Sequence, residues 1–234
     1  MDTNLNSKRQ TFKEYFHTII NNRVENFLRE LNINHKTFLF SGILRNFFLN
    51  VFETPRDLDI ILSKTSMSSD LIYLMKKYGD YKMNSYGGYK LEINNLKLDI
   101  WFIEDTWALN YGLVDVSKFN SIEDAVLHST FFNFSSILYD FKKEKFIYDN
   151  IFSKFLQNKT IDIVLNQNPS EILCVVNIIY YAEKYKLSLS NKTKNYFLDK
   201  FPVYYPDEYD RIQIKHFGKI IYSYQSLEKF GNNL

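Results

Sequence analysis

Three aspartates are the residues whose type and spacing favour chemistry in this sequence. Asp57 and Asp59 stand two positions apart in Arg56-Asp-Leu-Asp-Ile-Ile61, which alternates and then runs apolar, as a β-strand does. Side chains two positions apart on a strand point to the same face, so the two carboxylates would lie close together. Such like charges repel unless a cation joins them. Because the ligands are oxygens, the pattern predicts Mg²⁺, or Mn²⁺ in its place.

A third carboxylate on a neighbouring strand would complete a two-metal site for in-line phosphoryl transfer. Asp99 is the main candidate, because it lies mid-strand in Leu98-Asp-Ile-Trp-Phe102, where a buried charge needs a reason. Glu104 and Asp105 follow that strand and are the alternative. An Asp-x-Asp pair alone is more often a solvated strand end, so the prediction depends on the segment that precedes it.

That preceding segment predicts an anion site. Thr37-Phe-Leu-Phe40 is typical of a short buried strand, Ser41-Gly42 of a tight turn, and the next residues of a short helix that Pro55 ends. A turn that opens a helix directs backbone N–H groups at an anion, and Arg45 is placed to reach the same phosphates. Ser41, Gly42 and Arg45 are therefore predicted to bind phosphate groups beside the carboxylates.

The remaining pattern predicts an α+β protein with a mixed β-sheet flanked by helices. We expect this sheet domain to span residues 1–150 and a small all-helical part to span residues 151–234. Asn94-Asn95 joins two strand candidates as a two-residue hairpin loop. Helices are predicted at residues 11–31, 68–78, 122–133, 151–166, 169–185, 191–201 and 210–230, and a second hairpin at residues 137–148.

Composition narrows the possible partners and setting. The formal net charge of the 234-residue chain is only +2, which lacks the basic excess of a protein that binds bulk nucleic acid. The single Cys174 excludes an internal disulfide and a cysteine-based zinc site, and it suits a reducing cytoplasm. The polar N-terminus predicts no signal peptide, and no apolar run approaches the roughly 20 residues that span a bilayer. We therefore expect a cytoplasmic protein without a membrane partner.

The first motifs resemble a known family. Ser41-Gly-Ile-Leu-Arg-Asn46, followed by Arg56-Asp-Leu-Asp-Ile-Ile61, resembles the head domain of the poly(A) polymerase and CCA-adding enzyme group within the polymerase-β-like nucleotidyltransferase superfamily. The family pattern there is Gly-Gly-x-x-Arg-Asp and then Asp-x-Asp within a strand. Residues 129–140 and 168–187 resemble two later motifs, so the resemblance covers roughly residues 36–190 in matching order. It implies a nucleotidyltransferase head followed by a neck-like helical domain, with a metal–nucleotide site.

The resemblance also shows what has diverged. The charged residues with which the family recognises its nucleotide are replaced here, at Glu104, Ser129, Thr130, Phe131, Glu171, Val175 and Ile178. The chain ends near Leu234, so the long helical body that grips tRNA is expected to be absent. The resemblance therefore implies the fold and the metal end of the site, but not the addition of CCA to tRNA.

The leading hypothesis is an enzyme that moves AMP or another NMP from an NTP to a hydroxyl acceptor and releases pyrophosphate. Asp57 and Asp59 would bind two Mg²⁺, and Asp99 would bind the ion that activates the acceptor. Ser41, Gly42 and Arg45 would hold the β- and γ-phosphates of ATP or another nucleotide. The acceptor stays open among protein, small molecule and RNA. The alternative is a catalytically inactive nucleotidyltransferase-like module that binds or regulates.

Overall fold

The computed structural model describes residues 5–63 and 68–234. The chain divides into two compact units, each described separately below. The first contains the described residues up to Thr130 together with Phe134–Ser153, and the second contains Phe131–Asn133 and Lys154–Leu234. The α-helices of the first unit are α1 Arg9–Ile19, α2 Asn22–Asn34, α3 Gly42–Phe48, α4 Ser68–Tyr78, α5 Trp107–Asn110 and α6 Ile122–Leu127.

A seven-stranded mixed sheet forms the centre of the first unit. Its strands are β1 Lys36–Phe40, β2 Leu58–Ser63, β3 Asp80–Met83, β4 Tyr89–Ile93, β5 Leu96–Phe102, β6 Ile137–Asp140 and β7 Lys145–Tyr148. Their order across the sheet is β3-β4-β5-β2-β1-β6-β7. Strands β2 and β5 pair in parallel, and every other neighbouring pair in this sheet is antiparallel.

Apolar side chains bury both faces of the central strands. On one face Phe38, Ile61 and Leu138 form a core cluster with Val126 and Leu127 of α6. A group of aromatic rings fixes α1 to the unit: Phe12 is fully buried, and its ring lies 5.1 Å from Phe47, 4.7 Å from Tyr139 and 5.3 Å from Phe146 between centroids. Packed rings of this kind add attraction beyond area burial, so the many phenylalanines serve the core.

Turn and cap residues set the element boundaries. The helix predicted over residues 11–31 is two helices, because the Asn21 side chain accepts hydrogen bonds from Arg23 N and Val24 N and so begins α2. Asn94 and Asn95 both have positive φ, 49° and 66°, as a two-residue hairpin loop requires. A Cβ on Gly79, just after α4, would lie 2.2 Å from the Glu92 carbonyl oxygen, so only glycine lets α4 and β4 approach this closely.

The second unit is mainly helical. Its helices include the end of α7 Asn150–Asn158, then α8 Glu171–Tyr185, α9 Asn191–Lys200, α10 Pro206–Phe217 and α11 Tyr224–Gly231. Two-residue strands, β8 Thr160–Ile161 and β9 Ser188–Leu189, add a short parallel pair that the sequence did not predict. The predicted α+β class with a mixed sheet is confirmed. Among the described helices, none has the length and apolar character to cross a bilayer.

Candidate functional site

The sheet register places two of the predicted aspartates side by side. Asp59 is the second residue of β2 and pairs with Asp99 in the middle of β5. Asp59 also pairs with Phe40 of its other neighbouring strand, β1. Asp99 also pairs with Lys90 of its other neighbouring strand, β4. Paired positions share one sheet face, so Lys90, Asp99 and Asp59 form a polar row that stops at Phe40.

Asp57 lies just outside the strand on which it was predicted. It occupies a bend directly before β2, and its side chain is 20% exposed. The Arg56 guanidinium donates to Asp57 Oδ2, with Nε at 3.0 Å and Nη2 at 2.9 Å. Asp57 therefore adds its charge to the row from the N-terminal end of β2, and the sequence prediction of a nearby pair of carboxylates is consistent with this placement.

The pKa of Asp59 records the crowding of these charges. Burial first, and then the negative charges of Asp57 and Asp99, raise it from 3.8 to about 7, although the positive charges of Arg45 and Arg56 oppose the shift. Desolvation and like charges both disfavour the ionised carboxylate. A cation bound here would offset both the desolvation of the Asp59 carboxylate and its repulsion by the neighbouring carboxylates. Of the carboxylates in the row, Asp59 would therefore be stabilised most by a bound cation.

The Ser41-Gly42 turn brings the predicted phosphate-binding residues beside Asp59. Gly42 is the first residue of α3, and a Cβ placed on it would lie 3.9 Å from Arg45 Nη2 and 3.9 Å from Asp59 Oδ2. The missing side chain thus leaves a space that a guanidinium and a carboxylate share. Ser41 has φ 51° and ψ −103°, a conformation unfavourable for a residue with a Cβ, and such strain is found most often at functional sites.

Three neighbours that the sequence analysis did not single out hold this turn in place. Ser135 Oγ accepts a hydrogen bond from Ser41 Oγ at 2.9 Å. Arg45 is 9% exposed, donates to Asn46 Oδ1 from Nε and Nη2 at 3.3 and 3.2 Å, and lies 5.4 Å from the Phe134 ring centroid. Ser135 and Phe134 belong to the segment 129–140 that carries part of the family resemblance, which is the only sequence signal for them.

The outer carboxylates of the row face protein cations. Lys90 Nζ lies 3.2 Å from both carboxylate oxygens of Asp99, and Arg56 contacts Asp57 through Oδ2 alone. In the described part of the chain, no three His, Cys, Asp or Glu side chains are grouped closely enough to form one ligand set. Asp99 is paired with Asp59, whereas Glu104 and Asp105 lie in a 3₁₀ turn after β5. The register thus favours Asp99 as the third carboxylate.

The positions at which the resemblance places arginines have structural roles here. Val175 and Ile178 of α8 are fully buried. Thr130 is buried and donates to the Leu127 carbonyl at 3.2 Å. Glu171 forms an ion pair with Lys200 at 2.7 Å and accepts from the Tyr204 hydroxyl at 3.2 Å. None of these four side chains can take over the role of an arginine that recognises a nucleotide.

Comparison with solved structures supports the fold at low sequence identity. A CCA-adding enzyme in complex with CTP matches with a TM-score of 0.65 and 12% identity, over 94% of this chain and 54% of that one. The Thermotoga maritima CCA-adding enzyme in complex with tRNA matches with 0.66 and 11%, over 94% and 53%. A tRNA-processing enzyme in its apo form matches with 0.63 and 12%, over 92% and 57%.

These matches define what the chain shares with known proteins. No family model and no curated protein sequence matches it. The chain spans about half the length of the structures it resembles. The predicted resemblance to the polymerase-β-like head is confirmed at the level of the fold, and the chain has a nucleotidyltransferase fold.

Proposed function

We propose that the protein is a metal-dependent nucleotidyltransferase that moves an NMP from an NTP to a hydroxyl acceptor. The observation that carries this proposal is the pairing of Asp59 with Asp99 on adjacent parallel strands, beside the Gly42 turn and Arg45. An unused row of like charges would reduce stability and serve no purpose in a fold of this kind. As ligands, the same carboxylates would bind two metal ions through oxygen next to the triphosphate of the NTP.

The residues fit Mg²⁺ or Mn²⁺ by the chemistry of their donors, because such an ion is usually bound by one or two carboxylates together with substrate phosphates and does not need a set of three grouped side chains. Asp57, Asp59 and Asp99 offer only carboxylate oxygens, and the raised pKa of Asp59 supports a role for a cation, because positive charge would favour its ionised form. Arg56 and Lys90 hold the outer carboxylates, but their side chains are 61% and 62% exposed. Exposed ion pairs contribute only about 0.2–1 kcal/mol, so the side chains of Arg56 and Lys90 can move away from these carboxylates at little cost.

The reaction follows from the positions of these side chains. Ser41, Gly42 and Arg45 hold the β- and γ-phosphates, which orients the α-phosphorus toward the carboxylates. The acceptor oxygen forms a bond to that phosphorus, the bond to pyrophosphate breaks, and the acceptor proton is lost to solvent. Bound metal ions would supply charge neutralisation and a lower pKa for the acceptor hydroxyl. Asp57 and Asp59 would hold the ions, and Asp99 would be a further ligand of the ion that activates the acceptor hydroxyl.

The acceptor class is a protein, a small molecule or an RNA, and the setting is the cytosol. The free thiol of Cys174 is buried, which suits a reducing compartment. The structural neighbours include CCA-adding enzymes in complex with ATP and with CTP, so these are the first two nucleotides to test. The near-neutral charge of the chain favours an acceptor other than bulk nucleic acid.

A catalytically inactive binding module is the second candidate. It is favoured by one observation: positions that carry recognition arginines in the family are buried apolar residues here, such as Val175 and Ile178. A module of this kind would keep the fold and lose nucleotide selection. It would bind a partner without Mn²⁺-dependent nucleotide affinity.

Nucleotide binding and transfer separate the two functions. We expect ATP to bind with micromolar affinity in the presence of Mn²⁺, measured by calorimetry, and α-labelled ATP to label an acceptor from a cell extract. The Asp57→Ala/Asp59→Ala variant should lose both properties, while Asp207→Ala, which removes an exposed carboxylate of α10, should keep them. If wild type binds none of the four NTPs with either metal, the enzyme proposal is wrong.

A further inference from the structure

A charged face of β3, β4 and β5 continues the carboxylate row. Lys82 of β3 pairs with Lys90 of β4, and Lys90 pairs with Asp99 of β5. Two residues further along each of these strands, Asp80 pairs with Glu92, and Glu92 pairs with Lys97. These side chains share one sheet face, because each strand alternates its side chains between the two faces.

This face borders an open cleft of about 620 Å³. Its lining includes Asp57 and Asp99 together with Asp80 and Lys82 of β3. Lys82 and Lys90 stand directly opposite each other, and like charges at such positions destabilise an antiparallel pair. In the described part of the chain Lys82 has no ion-pair partner, whereas Lys90 pairs with Asp99. The cleft therefore contains, among acidic side chains that include Asp80 and Glu92, a lysine that, within the described residues, is not held in an ion pair.

We propose that the Lys90 ammonium neutralises Asp99 when no metal ion is bound. When a divalent ion binds Asp99, Lys90 moves away and joins Lys82 in binding a substrate phosphate. This inference rests on the proposed function. Lys90 Nζ lies 3.2 Å from both oxygens of Asp99, so its ammonium contacts the two atoms through which this carboxylate would bind a metal ion. Lys90 is a positioning residue, because it acts through Asp99 and through the phosphate.

The exchange is favourable for electrostatic reasons. An ammonium and a divalent ion cannot share one side of Asp99 without strong repulsion. The Lys90 side chain is long and mostly exposed, so it can rotate away at little cost. A phosphate between Lys82 and Lys90 would neutralise two like charges that are otherwise opposed across the strands. One substitution should therefore affect metal binding and phosphate binding in opposite directions.

Lys90→Gln tests this coupling on the full chain without an activity assay. We expect the Mn²⁺ affinity, measured by electron paramagnetic resonance, to rise about five-fold, as the loss of one competing ion pair implies. In the presence of Mn²⁺, the affinity for a phosphate-bearing probe should fall about five-fold. Lys82→Gln should lower the phosphate affinity by a similar factor and change the Mn²⁺ affinity less than about two-fold. Lys97→Gln, which lies opposite Glu92, is the matched control and should change neither affinity.

Two probes identify the source of the phosphate. If Lys82→Gln and Lys90→Gln weaken ATP binding by calorimetry, the phosphate belongs to the nucleotide. If they leave ATP binding unchanged but weaken ribose 5-phosphate, with ribose as the phosphate-free control, it belongs to the acceptor. A Lys90→Gln protein whose Mn²⁺ affinity is unchanged or reduced overturns the inference, as does one that binds both phosphate probes like wild type.

Failure of the proposed function gives a different result. A wild-type protein that binds neither Mn²⁺ nor ATP contradicts the nucleotidyltransferase proposal and, with it, the metal exchange at Asp99. A wild-type protein that binds Mn²⁺ and ATP, but shows no opposite effects in Lys90→Gln, keeps the nucleotidyltransferase proposal and removes only the role of Lys90.

Discussion

Replacing Asp59 by asparagine should stabilise the fold at neutral pH while removing its response to metal. The pKa of Asp59 is raised from 3.8 to about 7 by burial and by the charges of Asp57 and Asp99. Between these two values the folded chain keeps a proton that the unfolded chain has lost. The stability of the wild type therefore falls as the pH rises from about 4 to about 7, and it is level above that. Asparagine has the same shape and does not ionise.

The magnitude follows from the size of that pKa change. Each factor of ten in proton affinity is worth about 1.4 kcal/mol, so the full change corresponds to about 4 kcal/mol. Asp59 is partly exposed at the protein surface, and solvent screening reduces the effect to about 2 kcal/mol. Asp59→Asn should thus exceed the wild type in free energy of unfolding by about 2 kcal/mol at about pH 8, and by close to zero at about pH 4.

Urea unfolding in EDTA, repeated across this pH range, measures the difference. Excess Mn²⁺ should reverse the order, since a ligand at 100 times its Kd adds about 2.7 kcal/mol to the wild type and little to the variant. Asp80→Asn, an exposed change on the same face of the sheet, controls for the loss of one negative charge. An Asp59→Asn protein that is less stable than wild type at about pH 8 in EDTA would refute the electrostatic reasoning.

Three further substitutions test the turn and the sheet around the site. Gly42→Ala places its Cβ at ordinary contact distance, 3.9 Å from Arg45 and Asp59, so the free energy of unfolding should change by less than about 0.5 kcal/mol. The affinity for ATP, measured by calorimetry, should fall, and an unchanged affinity would argue against a phosphate at this turn. Ser41 has φ 51°, so Ser41→Ala should unfold in urea with about 1 kcal/mol less stability than Ser41→Gly, and equal values would remove the strain argument. Gly79→Ala meets the Glu92 carbonyl at 2.2 Å and should lose about 3 kcal/mol by thermal unfolding, whereas a stable variant would show that α4 and β4 can separate.

Local patterns were enough to predict that Asp59, Asp99, Gly42 and Arg45 lie close together. The two-residue length of the Asn94-Asn95 loop also determines which residue of β5 pairs with Lys90. A two-residue loop pairs Ile93 with Leu96, and counting outward from that pair places Lys90 opposite Asp99. The ion pair between these two residues was therefore predictable from the turn alone.

Long-range pairing was not predictable in the same way. Strand β3 has the exposure pattern of an edge strand with little apolar alternation, so its residues did not predict a strand. The helix predicted over residues 11–31 was wrong at its middle, because the apolar periodicity continues across the Asn21 cap. The contact between Ser41 and Ser135 joins residues far apart in sequence, and only the placement of β6 beside β1 brings them together.

The parallel pairing of β2 and β5 has a consequence for how the protein reaches its folded state. Asp59 and Asp99 belong to strands separated by α4, β3 and β4, so they meet only after that whole crossover has closed. Closing a long crossover is slow, and its entropy is lost before the contact forms. A nascent chain that ends before β5 therefore has no assembled carboxylate row. The repulsion within the row arises only when Leu58, Ile60, Leu98 and Ile100 are already burying the apolar surface that outweighs it.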